Sequence, residues 1–288
     1  MPSDAAPEMP ATLREIVEHK RDEIEAARAS ESLSELDRRI VDSPAPRDFF
    51  AALTEPPAAE HETRVIAEVK RRSPSAGLIR PEYEGDGFAP EGIAQGYSRA
   101  GASAISCLTD DKFFGGHLSF IGRIKAAVDL PVLRKDFIVD DYQLHQARAY
   151  RADAVLLIAE CLDDARIEGM LTLTDQLGLS VLLEVHSRPN LIRVLPIMER
   201  SPHRRVLLGI NNRDLTRMVT ELSHTTDLLD LVEDRSILVS ESGIRTPEDL
   251  ARLRTHGVHI ALIGEHLMRR PDPGAALCEL LGSGSATQ

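Results

Sequence analysis

Eight short runs of Val, Ile, Leu and Ala recur along the chain, and a stretch of helical character separates most of them from the next. The runs are VIAEVK (65–70), ASAISCL (102–108), PVLRK (131–135), AVLLIA (154–159), SVLLEV (180–185), VLLGIN (206–211), SILVSE (236–241) and HIALIG (259–264). Between them lie PEGIAQGYSRAG, LSFIGRIKAAV, DYQLHQARAY, ARIEGMLTLTDQLG, RPNLIRVLPIM, TTDLLDLVE and TPEDLARLRTHG. Strands that are apolar along nearly their whole length are covered on both faces, as parallel strands joined by crossover helices are. An open sheet would leave two edge strands, which are usually more polar. Eight such units therefore favour an α/β fold of the closed (β/α)8 TIM-barrel type, with a doubly wound sheet as the alternative.

The first 64 residues lack this rhythm. TLREIVEHKRDEIEAAR (12–28) places Leu13, Ile16, Val17 and Ile24 on one helical face, and Thr12 with Glu15 reads as a capping box. SLSELDRRI (32–40) and a segment starting near Pro46, PRDFFAAL, predict two more helices ahead of a Pro/Ala/Glu-rich linker at 55–63. The chain thus divides into a helical extension packed on the barrel over 1–64, the barrel over 65–281, and a tail over 282–288. Both the tail and residues 1–10 are expected to be mobile.

With 288 residues, 42% of them hydrophobic, the chain can bury a large core. Its formal charge of -12 argues against a nucleic-acid or membrane surface, so any anionic ligand must be met by a local cationic site. Cys107, Cys161 and Cys278 are odd in number and embedded in apolar stretches, which fits reduced thiols in a cytoplasmic protein. No segment approaches the roughly 18 apolar residues that span a bilayer, and the N-terminus has no secretory character. Motifs for serine hydrolysis, zinc chemistry and nucleotide binding are missing, so no metal or cofactor is implied.

Three of the runs, VIAEVK, PVLRK and VLLEV, end in charge where another aliphatic is expected. An unpaired charge in an apolar interior costs several kcal/mol, which points to a polar pocket at these ends. Alternation puts Ile66, Glu68 and Lys70 on one face of the first strand, and Lys135, Glu184, Asn211 and Glu241 close the third, fifth, sixth and seventh. Such ends form the mouth at which barrel enzymes work. Structural ion pairing within Glu68–Lys70 or Lys135–Asp136 is the competing explanation, and the convergence of five strand ends weighs against it.

The loops after the seventh and eighth runs, SESGIRTPEDL and IGEHLMRR, carry Gly243 and Gly264, whose backbone can approach an anion such as phosphate. Glu265 must then turn its carboxylate away and offer only its backbone. The first loop, RRSPSAGLIRPEYEGDG (71–87), has the length of a lid, with Arg71, Arg72 and Ser73 supplying positive and polar groups; a solvated surface loop is the alternative. Phe113, Phe114 and Phe137 follow strand ends and are candidates to stack on a planar ligand, one of them being expected to pack in the core. His186 is assigned to the strand face opposite Glu184, in a packing or supporting role.

Taken together and in order, EVKRRSPSAG, LTDDKFFGG, LRKDFIVDDYQ, LLEVHS, GINNRDL, SESGI and IGEHLMR closely resemble the indole-3-glycerol phosphate synthase family, over roughly residues 12–280. The resemblance implies ring closure of 1-(2-carboxyphenylamino)-1-deoxyribulose 5-phosphate, with loss of carbon dioxide and water and without a cofactor. It makes Lys135 the general acid at the substrate ketone and Glu184 the acid/base partner for dehydration. Lys70 would meet the anthranilate carboxylate and share in proton transfer, while Glu68 and Asn211 orient the sugar hydroxyls and the lysines. Arg213, Glu241 and Ser242 would complete the mouth. Ser73, Gly243, Gly264 and the backbone of Glu265 would hold phosphate, and Pro74, Leu108, Phe114 and Phe137 would enclose the aromatic ring. Glu265 stands where some members carry a small hydroxyl residue.

Burial and a second ammonium nearby are expected to lower the lysine pKa toward neutrality. The partner implied is the small phosphosugar–anthranilate substrate, with no nucleic acid or membrane, and a monomer is expected, a dimer being the alternative. Competing activities fit less well. A phosphoribosylanthranilate isomerase would use a Cys/Asp pair, yet no Cys ends the first strand. A Schiff-base aldolase would employ Lys135 or Lys70, and a non-catalytic phosphosugar sensor would not need the full acid/base set.

Overall fold

The computed structural model describes residues 9–55, 62–213 and 219–282. Most of the expected linker at 55–63 and most of both chain ends lie outside these residues. The extension forms α1 (Ala11–Ser30), α2 (Leu33–Val41) and α3 (Phe49–Thr54). Each apolar run then supplies a strand: β1 (Arg64–Val69), β2 (Ala104–Leu108), β3 (Val132–Lys135), β4 (Ala154–Ile158), β5 (Ser180–Val185), β6 (Val206–Asn211), β7 (Leu238–Glu241) and β8 (Ile260–Ile263). All neighbours pair in parallel in chain order, and β1 pairs with β8 from Arg64↔Ile260 to Ala67↔Ile263, which closes the barrel. The fold is therefore the (β/α)8 barrel, and the doubly wound alternative falls.

Helices α4 (Pro90–Arg99), α5 (Ser119–Ala127), α6 (Asp141–Ala149), α7 (Asp164–Gln176), α8 (Arg188–Arg200), α9 (Ser223–Asp227), α10 (Pro247–Thr255), α11 (Glu265–Met268) and α12 (Pro273–Leu280) follow the strands. Side-chain caps start several of them: Asp140 with Gln143 boxes α6, Thr246 with Asp249 boxes α10, and the Ser187 hydroxyl accepts from Asn190 N at α8. The stretch TTDLLDLVE does not run as one helix. Its first three residues belong to α9, and its apolar residues fall beyond the helix, in a short 3-10 turn at Leu229–Leu231 and its flanks.

Alternation along the strands sorts the core into two shells. Val65, Ala67 and Val69 face outward toward the helices, whereas Ile66 joins Leu133, Leu182 and Leu207 inside the barrel. The inner shell also takes in Phe49 and Leu53 from α3 and Leu13 from α1. Because α3 contacts β2, β5 and the turn just ahead of β7, its two apolar side chains close the floor of the barrel. Asp48 caps that helix by accepting from Ala51 N at 2.8 Å.

Helix α1 starts one residue before Thr12, behind Pro10 and without a side-chain cap, so the expected Thr12/Glu15 capping box is not formed. Proline fixes the backbone at the helix entrance by itself. A capping box occurs at α2 instead, between Ser32 and Glu35. What fixes α1 on the barrel is Lys20, whose side chain is only 1% exposed. Its ammonium lies 2.9 Å from Asp110 Oδ2 and 3.0 Å from Asp136 Oδ1. Asp136 also binds Arg134 at 3.0 Å and accepts from the Thr109 hydroxyl at 2.6 Å. Asp110 Oδ1 accepts from the backbone N–H of Phe113 and Phe114. One buried cation thus joins the extension to the loops that follow β2 and β3.

Burial opposes ionisation of Asp136, but Lys20 and Arg134 overcome it and hold the carboxyl well below its ordinary 3.8. A depressed carboxyl stabilises the fold above its unfolded pKa and loses that contribution as pH falls below it. Replacing Lys20 by Met should cost about 3–5 kcal/mol at neutral pH, because Asp110 is left buried without its cation. Urea denaturation would measure the loss, and the gap to wild type should narrow as pH drops below 4.

Candidate active site

The C-terminal strand ends surround a cavity of about 700 Å³. Sixteen residues that the sequence nominated line it: Glu68, Lys70, Ser73, Pro74, Leu108, Phe114, Lys135, Phe137, Glu184, Asn211, Arg213, Glu241, Ser242, Gly243, Gly264 and Glu265. At its centre the Lys135 ammonium lies 3.0 Å from Glu184 Oε2 and 3.8 Å from Glu241 Oε2. Beside this cluster Lys70 pairs with Glu68 at 2.5 Å. Asn211 Oδ1 accepts from Arg213 N at 3.0 Å, and the Arg213 guanidinium reaches Ser75 Oγ at 2.7 Å and Glu265 Oε2 at 3.1 Å.

Two glycines make room for these carboxyl groups. Gly209 sits level with Glu184 in the β5–β6 register, and a Cβ on it would fall 2.3 Å from Glu241 Oε1. A Cβ on Gly264 would fall 2.2 Å from Glu68 Oε1. At the end of β7 the chain turns through two left-handed residues, Ser242 at φ 68° and Gly243 at φ 82°. For Ser242 that conformation is strained, and Asn212 supports it by donating to the Ser242 carbonyl at 3.1 Å and to Ser240 Oγ at 3.0 Å.

Charge in the cluster is interdependent. Burial alone would discharge Lys135, yet the acidic groups facing it, Glu184 foremost and then Glu241 and Glu68, raise its pKa above the ordinary lysine value. The expected drift toward neutrality is therefore corrected: three carboxyl groups face this ammonium, and their attraction outweighs burial. Burial also opposes ionisation of Glu184, but Lys135, His186 and a hydrogen bond from Glu241 bring its pKa down to about 2. Glu241 moves the other way, raised well above the usual carboxyl range by burial and by the Glu184 charge. Its Oε1 is buried and faces no donor, as suits a neutral carboxyl group. Glu184 and Glu241 thus share one proton between them.

Other expectations are corrected here. His186 does not lie opposite Glu184: residues two apart share a strand face, and His186 Nε2 sits 3.4 Å from Glu184 Oε1. Glu265 does not turn away, because Arg213 and Arg269 draw its carboxylate onto the cavity wall at 3.1 and 2.8 Å. Arg71 and Arg72 are not in that wall, and its guanidinium groups come from Arg213, Arg245, Arg269 and Arg270. Arg71 lies over the Phe88 ring at 5.9 Å. Of the three phenylalanines, Phe114 and Phe137 share the wall with ring centroids 5.9 Å apart, while Phe113 packs edge-on against His19 of α1.

Sequence reasoning also missed residues in the wall. Thr12, Leu13 and Ile16 of α1 line the cavity although they precede the barrel. Their apolar spacing signalled a buried helical face but not what that face covers. Arg269 and Arg270 lie in the last predicted loop, where a charged residue past a strand end carries no signal that separates the wall from the outer surface.

A closed parallel barrel whose mouth gathers ammonium, carboxylate and guanidinium groups around one cavity defines a (β/α)8-barrel enzyme. In fold it resembles 3-hexulose-6-phosphate synthase, with a TM-score of 0.54 at 16% identity, covering 76% of this chain and 99% of that one. Residues 13–280 match the family model described as indole-3-glycerol phosphate synthase. Proteins of that name from Rhodopirellula baltica and Roseiflexus castenholzii are 46% and 43% identical, covering 94% and 95% of this chain and 99% of each relative. The protein of that name from Rhodospirillum rubrum is 42% identical, with 94% and 98% covered. The chain belongs to the indole-3-glycerol phosphate synthase family.

If Glu241 is the neutral member of the carboxyl pair, Glu241→Gln replaces it with an uncharged shape and should leave the melting temperature at pH 7 unchanged or higher. A raised carboxyl pKa costs stability as pH climbs above the unfolded value, so the variant should gain on wild type toward pH 9. A drop of several degrees at pH 7 in the variant would mean that the carboxyl is ionised in the folded protein.

Proposed function

We propose that Lys135 and Glu184 are the acid and base through which this mouth carries out the family's reaction. That reaction is the ring closure of 1-(2-carboxyphenylamino)-1-deoxyribulose 5-phosphate to indole-3-glycerol phosphate, in tryptophan biosynthesis. The chain is a carboxy-lyase by its membership of the family. The observation that carries the residue roles is the contact of one ammonium with two carboxyl groups, at strand ends that open on a single cavity.

The chemistry needs a cation at the ketone oxygen, so that the attacked carbon becomes electrophilic and the oxygen leaves the step as a hydroxyl. Lys135 enters fully protonated and supplies that proton. Loss of carbon dioxide returns its bonding electrons to the ring and restores aromaticity. Loss of water then needs a base for the hydrogen on the neighbouring carbon, and the proton so gained passes to the departing hydroxyl, which leaves as water. Glu184 is a weak base in the resting site because Lys135 and His186 hold its pKa near 2. Once Lys135 has given up its proton, one of those cations is gone and the basicity of Glu184 rises, so the first step prepares the second.

Lys70, aligned by Glu68, is placed to meet the anthranilate carboxylate, and Pro74, Leu108, Phe114 and Phe137 to hold the ring. Ser73, the backbone of Ser242, Gly243, Gly264 and Glu265, and the guanidinium of Arg213 form the phosphate end. Holding a flexible substrate with its ring folded onto the ketone can supply several kcal/mol of rate enhancement. Among the described residues no helix is long and apolar enough to cross a membrane. We place the chain in the cytoplasm, where its free cysteines stay reduced, acting as a monomer with its extension as part of the catalytic unit.

Formation of indole-3-glycerol phosphate can be followed by fluorescence without added metal. Lys135→Ala and Glu184→Gln should each lower kcat by about 10²–10⁴ while circular dichroism stays that of wild type. Near-normal turnover by Lys135→Ala would overturn the assignment.

A further inference from the structure

Behind Glu184, on the side away from Lys135, lies a second pair of ionisable groups that the reaction as derived leaves partly unused. Glu160 belongs to the turn that follows β4, and its carboxylate is held by three donors from the next unit. These are His186 N at 2.9 Å, Asn190 Nδ2 at 2.8 Å and His186 Nδ1 at 3.2 Å. The other ring nitrogen, His186 Nε2, faces Glu184 Oε1 at 3.4 Å. Both carboxylates and the ring are almost completely buried.

A neutral imidazole carries one N–H and one lone pair. Here each ring nitrogen looks at a carboxylate oxygen, so a neutral ring would turn a lone pair on an anion whichever tautomer it took. Only the imidazolium suits both neighbours. The remaining groups around it do not change this. Lys135 across Glu184 disfavours the charge, Asn190 is neutral, and His224 Nε2 lies 3.0 Å from the His186 carbonyl oxygen rather than the ring. Burial also opposes protonation, yet the hydrogen bond to Glu160 and the Glu184 charge raise the His186 pKa above its ordinary value.

We propose that His186, clamped by Glu160, is a positioning residue for the reaction: a permanent imidazolium that pins Glu184 with Oε2 on Lys135 and keeps it ionised until dehydration. This rests on the base role assigned to Glu184 above. When Lys135 has delivered its proton, His186 is the cation left beside Glu184. It keeps the carboxylate from recapturing that proton before dehydration. It also fixes the carboxylate rotamer by holding Oε1 while Lys135 holds Oε2.

The test combines a charge measurement with a pH profile. In protein labelled with 15N in its histidine rings, the His186 signals, assigned by their loss in His186→Gln, should show both nitrogens protonated at pH 7.5. In steady-state assays His186→Gln should lower kcat about tenfold with little change in KM, since the substrate is still bound but its base is misplaced. The acid limb of kcat should move upward by about one pH unit or more, because Glu184 loses a neighbouring positive charge. Glu160→Gln, which keeps the shape of the clamp, should shift the limb in the same direction and lower the His186 pKa. Packing alone would affect stability but not the limb.

A neutral His186 ring at pH 7.5, or an acid limb unmoved in His186→Gln, would overturn the proposal. If wild-type protein forms no indole-3-glycerol phosphate, the base role of Glu184 fails instead, and the nitrogen signals still decide the charge of His186.

Discussion

The ammonium of Lys135 and the carboxylate of Glu184 are ions in a buried place only because each has the other. Burial opposes both charges, and a contact of 3.0 Å reverses that balance. Glu241, close to both, avoids a second negative charge by keeping its proton. A cluster of this kind tolerates little displacement, because attraction at low dielectric falls quickly once water enters. Much of the surrounding fold can be understood as holding it still: the parallel register that sets β5 beside β6, the bare backbone of Gly209 that admits the Glu241 carboxyl, and Gly264 against Glu68.

The extension is bound into the same arrangement by a second buried ionic group. Lys20 ties α1 to Asp110 and Asp136, and those two carboxylates organise the loops that carry Phe114 and Phe137. Leu13 and Ile16, from the same helix, form part of the cavity wall. A division of the chain at residue 64 therefore follows the change in secondary-structure rhythm but cuts through the surface that faces the substrate. Barrel and extension together make the site.

The barrel itself was legible because its strands are covered on both faces, so all eight stand out as apolar runs against an amphipathic background. The polar mouth was legible for the complementary reason: Glu68, Lys135 and Glu184 interrupt those runs at one end. What a linear reading could not supply was the third dimension of the charges. From sequence, two lysines suggested mutual repulsion and a low pKa, whereas in space Lys135 is surrounded by carboxyl groups from β1, β5 and β7. Glu265 was expected to turn away from an anion site because its carboxylate would repel the anion. The Arg213 that holds it comes from 52 positions earlier. His186 was misplaced by a simpler slip in alternation, since residues 184 and 186 must face the same way. TTDLLDLVE shows the limit of periodicity, as its apolar residues all lie past the point where the helix ends.

Phe49 and Leu53 stop the lower end of the barrel, and inner-shell side chains such as Ile66, Leu133, Leu182 and Leu207 are wholly screened from solvent above them. The described residues thus leave the reaction chamber with one doorway. Carbon dioxide, water and the newly formed indole-3-glycerol phosphate must all depart by the route along which the substrate came in. The gas and the water are small enough to slip past a bound product, but the product itself is not. Traffic through that aperture is then ordered by size: the two light fragments escape first, and a fresh substrate has to wait until the bicyclic product has cleared the threshold.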